Sequence, residues 1–151
     1  MPEKCKLKMA LDPGAILPER AHPDDAGLDL IAPKEIYVWP GQRVLIDTGV
    51  HVQIPQGYVG LITSKSGMMQ KCGILTSGTI DSGYTGSLRV ILFNTGGQRI
   101  QIQEGQKVAQ LVIFPIITPE IEVVDALEET ERGDGGFGST GDMAKGGDIN
   151  A

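Results

Sequence analysis

Ile36-Tyr-Val-Trp-Pro-Gly-Gln-Arg-Val-Leu-Ile-Asp-Thr-Gly-Val-His-Val-Gln-Ile-Pro-Gln-Gly-Tyr-Val-Gly-Leu-Ile62 decides the fold class. Its apolar, β-branched runs are cut by Pro40-Gly41 and by Pro55-Gln-Gly57, both turn formers, so each run reads as a strand. Working outward, Leu88-Arg-Val-Ile-Leu-Phe93 ends at Asn94-Thr-Gly-Gly97, which is expected to turn as a hairpin into Gln98–Ile102. Val108-Ala-Gln-Leu-Val-Ile-Phe114 is apolar on both faces, as a buried strand is. With 21 Gly and 9 Pro in 151 residues, breaks are too frequent for a helical bundle. The chain therefore reads as an all-β barrel or sandwich.

Helix signals are few. Ser66-Gly-Met-Met-Gln-Lys-Cys72 can form one short helix, with Ser66 near its start and Gly73 just past its end. The acids of Asp125–Glu131 read as a solvated linker. Beyond Arg132, Gly-Asp-Gly-Gly-Phe-Gly-Ser-Thr-Gly141 is too rich in glycine to hold structure without a partner, and Asp142–Ala151 carries no pattern.

The length suits one domain with a real core. A net charge of −6 would repel a polyanion, so nonspecific binding to nucleic acid is not expected, though a small anion held by a few local cations is allowed. No stretch is long and apolar enough to span a bilayer, and Met1–Lys8 has no apolar signal core, so neither export nor a membrane partner is expected. Cys5 and Cys72 form no disulfide framework and no Cys-x-x-Cys pair, which suits a reducing, intracellular setting. That setting is the cytoplasm or nucleus, of the host cell for a viral protein.

Three segments are equipped to handle an anion. Thr63-Ser-Lys-Ser-Gly67 joins hydroxyls and a cation to a helix start, although a capped surface turn would look the same. Arg132 with the glycine-rich tail adds Ser139 and Thr140, against the reading of a flexible tail. In Gly78-Thr-Ile-Asp-Ser-Gly-Tyr-Thr-Gly86, Asp81 between an apolar residue and a turn could be a general base, while an Asp opening a β-turn is far commoner. Asp29, flanked by leucines in Ala26-Gly-Leu-Asp-Leu30, lies inside a strand and needs a cation or donor as partner. His22 and His51 stand apart from each other and from any Cys or His cluster, so no zinc site is expected. No P-loop and no G-x-G-x-x-G between strand and helix is present.

Taken in order, these segments resemble the five motifs of the trimeric all-β dUTPase family. They are Ala26–Leu30, Ser64–Gly67, Gly78–Leu88, Gly105-Gln-Lys-Val-Ala-Gln-Leu111 and Arg132–Gly141, and the span covers Ala26 to Gly141. The resemblance implies an all-β, jelly-roll-like barrel of the β-clip kind with one short helix, assembled as a homotrimer with composite active sites. Residues 1–127 would form the barrel domain. Residues 128–151 would form a linker and flexible arm that completes a neighbouring subunit's site.

The implied reaction is hydrolysis of dUTP at the α-phosphate to dUMP and pyrophosphate with Mg2+, which limits uracil incorporation into DNA. By the same resemblance Asp81 activates the water and Tyr84 packs under the deoxyribose. The hairpin around Gly73–Ile80, including Gly78 and Ile80, reads the uracil edge. Lys65, Ser66, Gly67 and Gln110 hold phosphates. Arg132, Ser139 and Thr140 close on the γ-phosphate with Gly138, and Phe137 lies over the base. Asp29 reaches Mg2+ through water, the ion itself riding on the triphosphate.

One position departs from the pattern: Lys65 stands where the second motif usually has Arg, replacing a bidentate fork with a point charge. Three rivals differ in class. A dCTP deaminase shares the fold but would need another base-reading hairpin. A regulatory module would show an insertion or a lost motif. A purely structural barrel leaves Arg132–Gly141 unexplained.

Overall fold

The computed structural model describes residues 6–75 and 77–136. In chain order they form β1 (Lys8–Leu11), β2 (Gly27–Ile31), β3 (Ile36–Val38), β4 (Arg43–Gln53), β5 (Tyr58–Ser64) and α1 (Ser66–Cys72). There follow β6 (Ile74–Leu75), β7 (Ser77–Ile80), β8 (Ser87–Asn94), β9 (Ile100–Ile102) and β10 (Lys107–Pro115). The strands build two four-stranded antiparallel sheets, ordered β1-β4-β8-β6 and β2-β10-β5-β7, with a β3-β9 ribbon beside them. The all-β, jelly-roll-like expectation and its single short helix hold.

Period-two alternation explains the layering. Along β8, Leu88, Val90 and Leu92 are fully buried while Arg89, Ile91 and Phe93 face outward. Along β4, Ile46, Val50 and Val52 point the same way, and from the second sheet Leu28, Leu30, Ile62 and Leu111 meet them. Gly60 lets the layers close, since a β-carbon there would stand 2.6 Å from Ile54 Cδ1 and 3.0 Å from Leu111 Cδ1.

The run between the two turn formers is one strand, β4, as expected. One local reading is corrected. Asn94–Gly97 is not a hairpin turn, because β8 pairs with β4 and β6 whereas β9 pairs with β3. The reason is Asn94 itself. Fully buried, its amide donates to Val38 O (3.0 Å) and Gln98 O (2.8 Å) and accepts from Gly96 N (2.9 Å), steering the chain out of the first sheet.

The chain divides into two units, Met1–Thr118 and Pro119–Ala151. The first ends just past β10, its last strand. In the second, residues 119–136 carry no helix or strand, so Asp125–Glu131 is irregular as expected. Ile121, Val123 and Leu127 there are almost wholly exposed. No helix among the described residues is long and apolar enough to cross a membrane.

Candidate active site

β2 and β10 lie side by side with Asp29 opposite Gln110, and Gln110 opposite Thr63 on β5. Three motif segments thus share one end of the second sheet. Asp29 is 5% exposed, and its partners are ammonium groups: Lys65 Nζ donates to Oδ1 and Lys107 Nζ to Oδ2 at 3.0 Å. Lys107 also meets Glu19 Oε1 at 3.0 Å. Burial alone would raise the Asp29 carboxyl, but the hydrogen bonds and charges of Lys65 and Lys107 bring it below its ordinary value. The same contacts with Glu19 and Asp29 raise Lys107.

Gly27 makes room for Gln110. A β-carbon there would overlap the Gln110 side-chain amide and stand 3.2 Å from its Cβ. A concavity of about 340 Å3 opens beside these groups, lined by Gly27, Asp29, Lys65 and Gln110 among others. Lys65 is the N-cap of α1, with Ser66 and Gly67 exposed in the first turn, and Gly73 ends the helix at φ 62°. A β-carbon on Gly67 would meet nothing, so no contact within the chain accounts for that glycine.

Asp81 follows β7 and is exposed, and its carbonyl accepts from Tyr84 N at 3.0 Å to close a turn. The Tyr84 ring is 41% exposed and its hydroxyl donates to Ser87 O at 2.8 Å. No hydrophobic wall of the described residues covers Asp81. Gly78 and Ile80 lie on β7, paired with Ile62 and Gly60, and Ile80 packs against the core.

Among the described residues of Gly73–Ile80, β6 joins the edge of the first sheet and β7 the edge of the second. The outward backbone groups of both strands bond to no neighbouring strand among the described residues. Two such edges present donors and acceptors to a flat polar ring.

Among the described residues of the first unit, the chemistry-bearing side chains do not meet at one point. Thr63 pairs with Ser77 and Gly60 with Ile80, so Asp81 lies at the opposite end of β5 from Lys65, with β10 and β5 intervening between β7 and Asp29. At ordinary strand spacings Asp81 and Asp29 are roughly 20 Å apart. Arg132, in the second unit, donates from Nε to Gly135 O at 2.9 Å. Phe137, Gly138, Ser139 and Thr140 lie outside the described residues.

Lys107 and Glu19 were not singled out in the sequence. The need of Asp29 for a cation was the signal, but which of the chain's 13 Lys and Arg would answer it depends on sheet register. Among the described residues no three His, Cys, Asp or Glu side chains gather where they could hold a metal ion.

A family model described as dUTPase matches residues 14–141. The deoxyuridine 5′-triphosphate nucleotidohydrolase of Clostridium novyi is 46% identical over 130 residues, covering 84% of this chain and 92% of that protein. That of Gloeothece citriformis is 44% identical, covering 90% and 97%. Among solved structures, the dUTPase of Staphylococcus bacteriophage 80alpha with dUpNHpp superposes with a TM-score of 0.86 at 35% identity, covering 90% of this chain and 98% of that one. A mutant dUTPase of phage phi11 of S. aureus, described with a coordinated structural Mg(II) ion, gives 0.78 at 35% identity, covering 83% and 100%.

Proposed function

The chain belongs to the dUTPase family, and from that membership we propose how its residues divide the work of hydrolysing dUTP. It is a dUTP nucleotidohydrolase: water attacks the α-phosphorus, the bond from that phosphorus to the bridging oxygen breaks, and dUMP and pyrophosphate leave. The observation that carries this reading is the near full-length match to nucleotidohydrolases, spanning every chemistry-bearing segment described.

Lys65, Ser66, Gly67 and Gln110 hold the phosphate chain at the end of the second sheet. Support comes from the concavity that Lys65 and Gln110 share, the place of Ser66 and Gly67 directly after Lys65 in the first turn of α1, and the glycine at 27 that admits Gln110. Lys65, with a flexible stem and a side chain 29% exposed, turns from Asp29 to phosphate when substrate arrives. Asp81 takes the proton of the attacking water, and the ring of Tyr84 packs under the deoxyribose. The divergent edges of β6 and β7, including the backbone of Gly78 and Ile80, match the uracil edge. Cytosine would leave buried groups unpaired there.

Because Asp81 and Lys65 lie at opposite ends of one sheet, a complete site needs two chains. This supports a homotrimer in which one subunit gives the phosphate end and the next gives Asp81 and Tyr84. The outward-facing Leu45, Ile91 and Phe93 of the first sheet offer apolar surface for such an assembly. The arm from Arg132 through Phe137, Gly138, Ser139 and Thr140 closes over the γ-phosphate and base of a neighbour's site. Exposed Ile121, Val123 and Leu127 suit a segment that packs on another subunit.

Mg2+ fits this donor set as a passenger of the triphosphate. Lys107 would keep one oxygen of Asp29 occupied and Lys65 would free the other on turning to phosphate, so Asp29 would reach the ion through its water shell. When bound, the ion would supply positive charge to the phosphate oxygens. An intracellular setting, where dUTP is made, completes the reading.

Pyrophosphate release from dUTP with Mg2+, set against dCTP, dTTP and UTP at equal concentration, tests it. Selective turnover of dUTP is expected. Binding without turnover would turn the reading to a regulatory module, and ammonia release from dCTP to a deaminase.

A further inference from the structure

β4 is irregular where it passes the loop that carries Asp81 and Tyr84. Asp47 pairs with Arg89 and His51 with Ser87, so four steps along β4 meet two along β8. The extra length is a bulge around Gly49, held at φ 66°, where a β-carbon would stand 2.9 Å from Ala15 Cβ. The bulge sends three consecutive polar contacts onto one short segment. Asp47 Oδ1 accepts from Ser87 Oγ, and Thr48 Oγ1 donates to Leu88 O at 2.7 Å. His51 Nδ1 donates to Thr85 O at 2.8 Å. Tyr84 is tied into the same segment through its hydroxyl, which donates to Ser87 O.

We infer that this bulge is a three-point clamp that positions the Asp81–Ser87 loop for catalysis, with His51 as its titrating member. The inference rests on the reading that Asp81 and Tyr84 belong to the active site.

The His51 ring shows why it titrates. Nδ1 faces a carbonyl and Nε2 faces Asp12 Oδ2 at 3.2 Å, and both oxygens are acceptors. Nδ1 donates to the Thr85 carbonyl, and a second proton on Nε2 lets the ring pair with Asp12, so the imidazolium form bridges the chain after β1 to the loop. Asp12 is itself held to the bulge, its N–H donating to Gly49 O at 2.8 Å. The charged groups around the ring are Asp12 after β1, Asp47 on β4 with its partner Arg89 on β8 (3.5 Å), and Lys8 of β1, which lines the same concavity. The bond to Thr85, then the bond to and the charge of Asp12, raise the ring above its ordinary value, and the charge of Asp47 adds to this. Protonation is favoured in the folded loop and is lost as pH climbs through that raised value. The neutral ring can keep its bond to Thr85 but loses the ion pair with Asp12, so the loop is no longer braced against the chain after β1 and the clamp slackens at high pH.

The test compares wild type with His51→Gln and Asp12→Asn in the full-length chain, measuring kcat and KM for dUTP from pH 6 to 9, with thermal unfolding as a control on folding. Glutamine can still donate to Thr85 O but cannot titrate. We expect the wild-type kcat to carry an alkaline decline that His51→Gln lacks. For His51→Ala we expect kcat to fall roughly tenfold with KM changed by less than about twofold, as a slightly misplaced reacting group predicts. Asp12→Asn should move the alkaline decline to lower pH without touching the loop. If His51→Ala retains the wild-type kcat and pH profile while Asp81→Asn is inactive, the clamp is refuted and the active-site reading stands. If Asp81→Asn is fully active, that reading fails first. Should His51→Ala not fold, the pH profiles of His51→Gln and Asp12→Asn decide alone, and profiles identical to wild type refute the clamp.

Discussion

The ring of Tyr84 lies against Gly86, its hydroxyl 2.5 Å and its Cζ 2.6 Å from where a β-carbon at that position would stand. The glycine is thus a packing requirement of the tyrosine. Gly86→Ala should push the ring out of line and loosen the floor under the sugar. The expected result is a fall of about tenfold or more in preference for dUTP over UTP, read from the two kcat/KM values. An unchanged ratio would mean that Tyr84 does not police the sugar.

Asp81 is exposed and, among the described residues, makes a backbone turn contact alone, so replacing its charge should leave the fold intact. Asp81→Asn is expected to cut turnover by roughly 10²–10⁴-fold, the range for a lost general base. Binding of the non-hydrolysed nucleotide, followed by calorimetry, should persist. Loss of both would assign Asp81 to substrate binding instead.

Asp29 couples the phosphate end to stability. Its folded carboxyl lies below the ordinary 3.8, so it contributes stability that is present above that value and lost as pH falls through the folded one. Asp29→Asn should cost about 1–3 kcal/mol at pH 7, less than the roughly 3–5 kcal/mol of a fully buried pair because both lysines can reach water. In urea titrations the gap between wild type and variant should close as the solution is acidified below pH 4. A gap that persists in acid would point to packing rather than charge.

If the tail acts on bound nucleotide as proposed, removal of residues 132–151 should leave the assembly intact and abolish most turnover. Light scattering with an activity assay checks both halves of the statement. A monomeric product would make the tail an assembly element.

Much of this architecture was readable beforehand because it follows from local rules. β5, β8 and β10 announce themselves by β-branched runs between turn formers, and α1 by the glycine that ends it in the left-handed region. β1 was missed because its four residues are too few to show a period, and β6 and β7, expected together as one hairpin, belong to the edges of two different sheets. Asn94 looked like a turn residue and is one, but its buried amide sends the chain to another sheet. The five segments were visible as motifs, whereas the lysine pair on Asp29 was not, because Lys107 reaches it through a register shift in β10. His51 read as ordinary for the same reason: its neighbours are set by a bulge that no sequence period reveals.

The span along the second sheet between Asp81 and Lys65 has a genetic corollary. In an assembly built as proposed, each chain owns two half-sites and no whole one. A cell making one copy damaged at Asp81 and another damaged at Lys65 would hold two inert proteins, yet their mixed trimers would contain junctions where an intact half of each meets. The unit on which selection acts is then the seam between chains, and a defect in one gene copy can be masked by a different defect in the other.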